Sequence, residues 1–170
     1  MKKVKSLIMI IMIAVTTGAV AQQSAKASSS ATIVAPIGIT KSVDMNFGNV
    51  STNSAGGTVV LTAGGSTSIT GGVTLPADTG TVTAATFNVT GEANYTYTIA
   101  LSVGAITLKD GSGTPNEMTV DTFVSNPDAT GALTSGAQII NMGATLNVAG
   151  GQVAGVYTNG GDLTVTVNYN

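Results

Sequence analysis

Residues 162–170 constrain the fold more than any other part of the chain. Apolar and polar residues alternate along this stretch, and the apolar ones are Leu163, Val165, Val167 and Tyr169. Because successive side chains of a strand point to opposite faces, the alternation predicts a β-strand with one buried side and one solvent-facing side. A chain that finishes on such a strand either closes its own sheet with it or offers it to a partner.

A local partner for this strand is also predicted. The dipeptide Asn159-Gly160 is a strong hairpin signal, because both residue types tolerate positive φ. It predicts that the strand pairs with residues 152–157 and closes the domain. Residues 33–39 alternate as well, and the sequence leaves open whether they pair within the domain or with a neighbouring molecule.

The start of the chain has the pattern of a secretory signal peptide. Three early lysines precede an apolar run over residues 7–15, and Ala19-Val20-Ala21 has the form of a small-residue cleavage site. The run is about half of the ~20 residues that a membrane-spanning helix needs. We therefore expect cleavage after Ala21 and no transmembrane span.

This pattern gives the domain organisation and the location. Residues 1–21 are predicted to be the signal peptide, residues 22–30 a flexible polar leader, and residues 31–170 a single domain. The protein is expected to be exported across the inner membrane, to the periplasm, the cell surface or the medium.

Charge and cysteine content exclude several classes. From residue 22 onward the chain has 3 lysines, no arginine and 8 acidic residues, a net charge of −5. Nucleic-acid binding needs a dense cationic surface, so that class of partner is rejected. Cysteine is absent, so no disulfide supports the fold.

The remaining pattern predicts an all-β fold. Short segments rich in Val and Thr lie between Gly-rich turns, which favours an antiparallel Greek-key, immunoglobulin-like β-sandwich of about seven to ten short strands. Pro36 marks an edge strand or a break, because proline cannot donate to a ladder. Between Val82 and Phe87 the alternation slips by one residue, which predicts a bulge.

The chain has few of the side chains that common catalytic sites use. The chain has no His and no Cys, which removes the common nucleophilic triads and zinc sites. We predict a protein that is not an enzyme, with no catalytic, cofactor-binding or metal-binding residues. Asp110, Asn116 and Glu117 share one loop and have oxygen ligands suited to calcium, but turn formation is the favoured interpretation.

Three tyrosines are candidate ligand contacts. Tyr95 and Tyr97 could form an aromatic sugar-binding face, although their alternation with Thr96 and Thr98 favours core packing. Tyr157 is interpreted as a residue that hydrogen-bonds back to the backbone and fixes a corner of the sandwich.

Several short sequence segments together resemble a known family. In chain order they are Asp44-Met-Asn-Phe-Gly-Asn-Val50, Gly57-Thr-Val-Val-Leu-Thr62, Ala85-Thr-Phe-Asn-Val-Thr-Gly91, Tyr95-Thr-Tyr-Thr-Ile99, Gly155-Val-Tyr157 and Leu163-Thr-Val-Thr-Val-Asn-Tyr169. They resemble the exported bacterial domain-of-unknown-function 4402 family, a resemblance that implies a fold and a location but no activity. More distantly, Phe47-Gly48 and the closing alternation are similar to spore-coat-U-type and chaperone–usher fimbrial subunits, which assemble by strand addition.

Two functions follow as expectations. The first is a non-enzymatic secreted or cell-surface structural or adhesive β-sandwich, such as a fimbria-like subunit, that associates with itself or with surface proteins by strand addition. The alternative is a carbohydrate- or surface-ligand-binding module that uses Tyr95, Tyr97 and Tyr157.

Overall fold

The computed structural model describes residues 21–101, 104–114 and 116–170. The chain divides into two compact units, Met1–Ile33 and Val34–Asn170. In the first unit, residues 21–33 are exposed and form no helix or strand. The predicted signal peptide, apart from Ala21, lies outside the described residues.

The second unit is built from strands. They are β1 (Gly38–Val43), β2 (Asn46–Phe47), β3 (Ser51–Leu61), β4 (Thr67–Thr74), β5 (Val82–Thr83), β6 (Ala85–Thr90), β7 (Thr96–Leu101), β8 (Ala105–Lys109), β9 (Glu117–Asn126), β10 (Thr130–Ala132), β11 (Ala137–Val148) and β12 (Val165–Tyr169). No helix occurs in the described ranges, so the all-β prediction is confirmed.

The twelve strands of the described residues exceed the predicted seven to ten. The excess comes from β2, β5 and β10, which have two or three residues each. Alternation needs at least four or so residues to be visible in a sequence, so such short strands leave no pattern.

All strand pairs are antiparallel and form three sheets. The larger sheet has seven strands in the order β1-β6-β11-β3-β4, and β9 lies on the other edge of β11 with β8 beside it. A smaller sheet has the order β10-β7-β12, and β2 pairs with β5.

Strand β11 is the centre of the larger sheet. It hydrogen-bonds to β3, β6 and β9. Its buried residues alternate over most of its length: Ile140, Met142, Ala144, Leu146 and Val148. The exposed Ile139 and the buried Gly143 blur the contrast between the two faces, so this alternation is hard to see in the sequence.

The core consists of two clusters. The inter-sheet cluster joins β6 and β11 of the larger sheet to β7 and β12 of the smaller one, and contains Ala85, Phe87, Val89, Tyr97, Leu133, Ile140, Met142, Val165 and Val167. The β3-side cluster contains Phe47, Val59, Leu61, Val73, Ile106, Val120, Ala144, Leu146 and Val148. Met45 and Phe123 pack against both.

Two sheets that face each other across the inter-sheet cluster make the unit a β-sandwich, as predicted. The Greek-key, immunoglobulin-like connection stays a prediction.

The bulge predicted between Val82 and Phe87 is instead a break between two strands. Strand β5 ends at Thr83 and pairs with β2, whereas β6 begins at Ala85 and joins the larger sheet. A slip in alternation therefore marked a change of sheet, which the sequence pattern does not distinguish from an inserted residue.

Gly143 allows two strands to share one edge of β11. The pairing with β6 ends at Met142 and the pairing with β3 begins at Ala144. A Cβ atom on Gly143 would lie 2.1 Å from the carbonyl oxygen of Leu61, closer than any Cβ approaches a backbone atom. Only glycine fits at this junction.

We predict that Gly143→Ala destabilises the fold by about 1–3 kcal/mol, because backbone must move to relieve the overlap. Urea unfolding measures the change. Gly160→Ala is the matched control, since its Cβ would meet nothing within 4 Å, and it should stay within about 0.5 kcal/mol of wild type. Equal stability of the two variants would contradict the junction role of Gly143.

Candidate functional site

The candidate site is the outer edge of β12. Val165 and Val167 are each 8% exposed and belong to the inter-sheet cluster, while Thr166 and Asn168 are exposed. Tyr169 is half-buried against the same cluster. The alternation predicted for residues 163–169 is confirmed.

The predicted local partner of this strand is wrong. Strand β12 pairs with β7, with Val165 opposite Leu101 and Tyr169 opposite Tyr97. Residues 152–157 form no strand. An Asn-Gly dipeptide permits a tight turn but does not require a hairpin, and the side chains of β12 are buried only when they lie over β6 and β11.

The loop before β12 is held elsewhere in the fold. Thr158 exchanges two backbone hydrogen bonds with Lys109 at the end of β8, at 2.8 and 2.9 Å. The amide of Gly151 donates to the carbonyl of Asn53 in β3 at 3.0 Å. Residues 151–158 therefore cover the end of β8 instead of extending the smaller sheet.

Two hydrogen bonds fix which backbone groups of β12 point outward. The amide of Asn170 donates to the carbonyl of Thr96 in β7 at 3.2 Å. Ile99 of β7 lies opposite Val167, but its amide points away from β12 and donates to the carbonyl of Ala129 at 2.8 Å. Backbone groups of successive strand residues point to opposite edges. Thr166 and Asn168 therefore bond to β7, whereas the amides and carbonyls of Val165, Val167 and Tyr169 point to the outer edge.

Within the described part of the chain, β12 is bonded to another strand on one edge only. An edge strand is a template for another strand unless charge, proline, a bulge, short length or a cover prevents addition. Strand β12 has five residues, regular register with β7, no charged residue and no proline.

Most of the other edges carry such a device. Strand β1 has an irregular register between Lys41 and Val43 and an ion pair of Lys41 with Asp44. The end of β8 is covered by Thr158. Strand β10 has three residues, and β2 and β5 have two each. Strand β4 pairs in regular register with β3 over residues 67–71 and shifts its register only beyond Gly71. Strand β12 and residues 67–71 of β4 are therefore the edges of the described strands that lack such a device, and β12 is the one of the two that also closes the inter-sheet cluster.

Tyr169 ties β12 to the beginning of the domain. Its hydroxyl donates to the carbonyl of Ala35 at 2.9 Å and accepts from the amide of Glu92 at 2.6 Å. The Glu92 carboxylate accepts from the amide of Ala35 at 2.9 Å. We call Ala35, Glu92 and Tyr169 the tyrosine clamp.

Close packing surrounds the clamp. A Cβ atom on Gly91 would lie 2.2 Å from the Tyr169 hydroxyl oxygen. The absence of a side chain at Gly91 therefore leaves room for the Tyr169 ring. The Tyr95 ring meets the Tyr169 ring edge-on, with centroids 5.5 Å apart and an interplanar angle of 63°.

The clamp and β1 answer the question left open for residues 33–39 only from Ala35 onward, since Ile33 is 98% exposed and lies in the first unit. Strand β1 pairs with β6 of the same chain, with Ile39 opposite Val89. Ile37 and Ile39 pack against the inter-sheet cluster. The strand begins at Gly38, two residues after Pro36, and is an edge strand as Pro36 predicted.

The three candidate ligand-binding tyrosines do not share a surface. Tyr97 is 0% exposed; its hydroxyl donates to Gln138 Oε1 at 2.8 Å, and burial raises its pKa. The core-packing prediction is confirmed for Tyr97 and wrong for Tyr95, which is 42% exposed because it precedes β7. The predicted hydrogen bond from Tyr157 back to the backbone is confirmed, since its hydroxyl donates to the Val153 carbonyl at 2.7 Å, and its role at a corner of the sandwich stays a prediction.

The loop considered for calcium is organised by hydrogen bonds to one carboxylate. Asp110 Oδ1 accepts from the amides of Ser112 and Asn116, both at 3.1 Å, and Oδ2 accepts from the Asn116 side-chain amide at 2.6 Å. Glu117 instead pairs with Lys109 at 2.9 Å. These contacts confirm the turn interpretation. No group of three or more His, Cys, Asp or Glu suited to a metal ion occurs among the described residues.

Glu92 and Gln138 organise contacts that the sequence does not reveal. Glu92 lies 77 residues from Tyr169, and Gln138 lies 41 residues from Tyr97. Neither is part of a local motif, so the sequence offered no signal for these contacts.

We predict that Tyr169→Phe lowers the free energy of unfolding by about 1–2 kcal/mol, because two hydrogen bonds to backbone groups are lost. Urea unfolding measures this, and hydrogen exchange at Glu92 should accelerate. Tyr95→Phe is the control: it keeps the ring contact and removes a hydroxyl with no hydrogen bond to the described residues. A Tyr169→Phe variant as stable as the control would refute the clamp.

The Asp110 contacts predict a pH dependence. Hydrogen bonds, led by the one from the Asn116 side chain, lower the pKa of Asp110 to about 2, below the ~3.9 of an unfolded chain. Because the folded pKa is depressed, Asp110 stabilises the fold above about pH 4, and this contribution is lost as the pH falls toward 2. As the pH falls from about 4 to about 2, the free energy of unfolding of wild type should decrease more than that of Asp110→Asn. A pH-independent difference between the two would contradict this role.

The described residues include no helix of the length and apolar character that a bilayer crossing requires.

Comparison with known proteins gives one family. No curated protein and no solved structure matches the sequence. The similarity to spore-coat-U-type and chaperone–usher fimbrial subunits stays a prediction. The family model described as a domain of unknown function (DUF4402) matches residues 37–169, well over half of the chain. This match confirms the resemblance seen in the short sequence segments, and the chain belongs to the DUF4402 family.

Proposed function

We propose that this protein is an exported, non-enzymatic β-sandwich that serves as a structural or adhesive module at the cell surface, in the manner of a fimbria-like subunit. Its working surface is the outer edge of β12. The observation that carries the proposal is the unguarded row of backbone groups at Val165, Val167 and Tyr169.

Strand addition suits the chemistry of this edge. Main-chain hydrogen bonds supply affinity in such complexes, and the side chains that flank the added strand supply specificity. On β12 the solvent face offers Thr166 and Asn168, which are uncharged hydrogen-bonding groups, and the inner face is closed by Val165 and Val167. A partner therefore gains backbone bonds without displacing the core.

The signal-peptide pattern at residues 1–21 supports export, and the absence of His and Cys from the sequence supports a role without catalysis. The alternative, a carbohydrate- or surface-ligand-binding module, receives less support. It relied on three tyrosines, and Tyr97 is buried with its hydroxyl bonded to Gln138.

Photo-crosslinking on intact producing cells tests the proposal. A photoreactive amino acid at position 168, on the exposed face of β12, should give high-mass adducts in the exported fraction. The same group at position 130, on β10 at the far side of the smaller sheet, is the control and should give few.

Equal crosslinking at both positions, or none at position 168, would contradict the edge as the working surface. Protein that stays in the cytoplasmic fraction would contradict export. Turnover of glycans, peptides or esters by the purified mature protein would contradict the non-enzymatic role.

A further inference from the structure

We propose that the partner at the β12 edge is a second copy of this chain, paired antiparallel through β12 about a twofold axis at Val167. This inference rests on the proposed strand-addition role and names its occupant.

The edge is self-complementary in its hydrogen bonding. The outward groups belong to Val165, Val167 and Tyr169, which are spaced evenly about Val167. An antiparallel twofold axis at Val167 sets Val167 opposite Val167 of the second copy and Val165 opposite Tyr169 of the second copy. Every outward amide then faces an outward carbonyl, which is the hydrogen-bonded pair arrangement of an antiparallel ladder.

The side chains are compatible with this register. Val165 opposite Tyr169 is a pair of a β-branched and an aromatic residue, a combination that stabilises adjacent strands. On the solvent face, Thr166 comes opposite Asn168 of the second copy, and both are exposed and uncharged. Neither strand needs to be shifted to avoid a clash of charge.

Electrostatics also favours this edge for two like molecules. Each copy carries a net charge of −5 from residue 22 onward, so two copies repel unless they meet at a neutral surface. Strand β12 has no charged residue. Asp162, the acidic residue nearest in sequence, precedes the strand; along an extended path at ~3.4 Å per residue it would lie about 34 Å from Asp162 of the second copy, beyond the ~10 Å over which exposed charges interact in 0.1 M salt.

Pairing of this kind joins the two smaller sheets into one, in the order β10-β7-β12-β12-β7-β10. The contact is formed mainly by one five-residue strand from each copy, so the interface is small. Small interfaces of this type are weak and reversible, and the dimer is expected to depend on concentration.

Charge-swap variants test the inference in the otherwise intact chain of residues 22–170. The double variants Thr166→Lys/Asn168→Lys and Thr166→Glu/Asn168→Glu each set like charges opposite one another across the axis. Sedimentation velocity over a hundredfold concentration range should show dimers for wild type and at least tenfold weaker association for each double variant alone. An equimolar mixture of the two should regain dimers, because opposite charges then face each other.

Thr130→Lys, at the far side of the smaller sheet, is the control and should associate like wild type. Circular dichroism must show that the variants remain folded, as expected for exposed positions. Wild type that stays monomeric, or a mixture that associates no better than each variant alone, would overturn the pairing of two copies. Monomeric wild type combined with edge-dependent adducts on cells would overturn this inference while the proposed function stands.

Discussion

The antiparallel ladder between β7 and β12 is the interaction on which the rest of the structure depends. It places Val165 and Val167 over β6 and β11, which closes the inter-sheet cluster, and it brings Tyr169 to Glu92 and Ala35. The chain has no disulfide, so this ladder and the side chains beneath it must hold the smaller sheet in place. The same ladder uses one edge of β12 and directs the backbone groups of the other edge outward.

Much of the fold was predictable because burial imposes a period of two on every strand that lies over a core. The alternation of residues 163–169 gave the correct faces of β12, and Pro36 correctly marked an edge. Pairing partners were not predictable in this way. The local Asn159-Gly160 signal suggested a hairpin, but β12 pairs with a strand more than sixty residues earlier, because only there are its apolar side chains covered.

The candidate site could be predicted only in part. Its strand and faces were visible in the sequence, and so was the turn-forming role of Asp110. The sequence did not show that the outer edge of β12 is unpaired. An edge is defined by the absence of a neighbouring strand, and which strands are neighbours depends on the long-range topology. The tyrosine clamp was hidden for a related reason: Glu92 and Tyr169 are joined by one hydroxyl across 77 residues. Gly143 and Gly91 have no local sequence signal for their roles, because these roles depend on the distant Leu61 carbonyl and Tyr169 hydroxyl.

The central claim is that the backbone groups of Val165, Val167 and Tyr169 form an open edge that another strand can occupy. Residue-resolved hydrogen exchange by NMR, in dilute and in concentrated solution, tests it most directly. We expect the amides of Thr166 and Asn168 to be protected at both concentrations by β7. The amides of the three edge residues should exchange rapidly in dilute solution and become protected in concentrated solution. Protection of all five amides in dilute solution would show that the edge is already covered within the chain and would contradict the account.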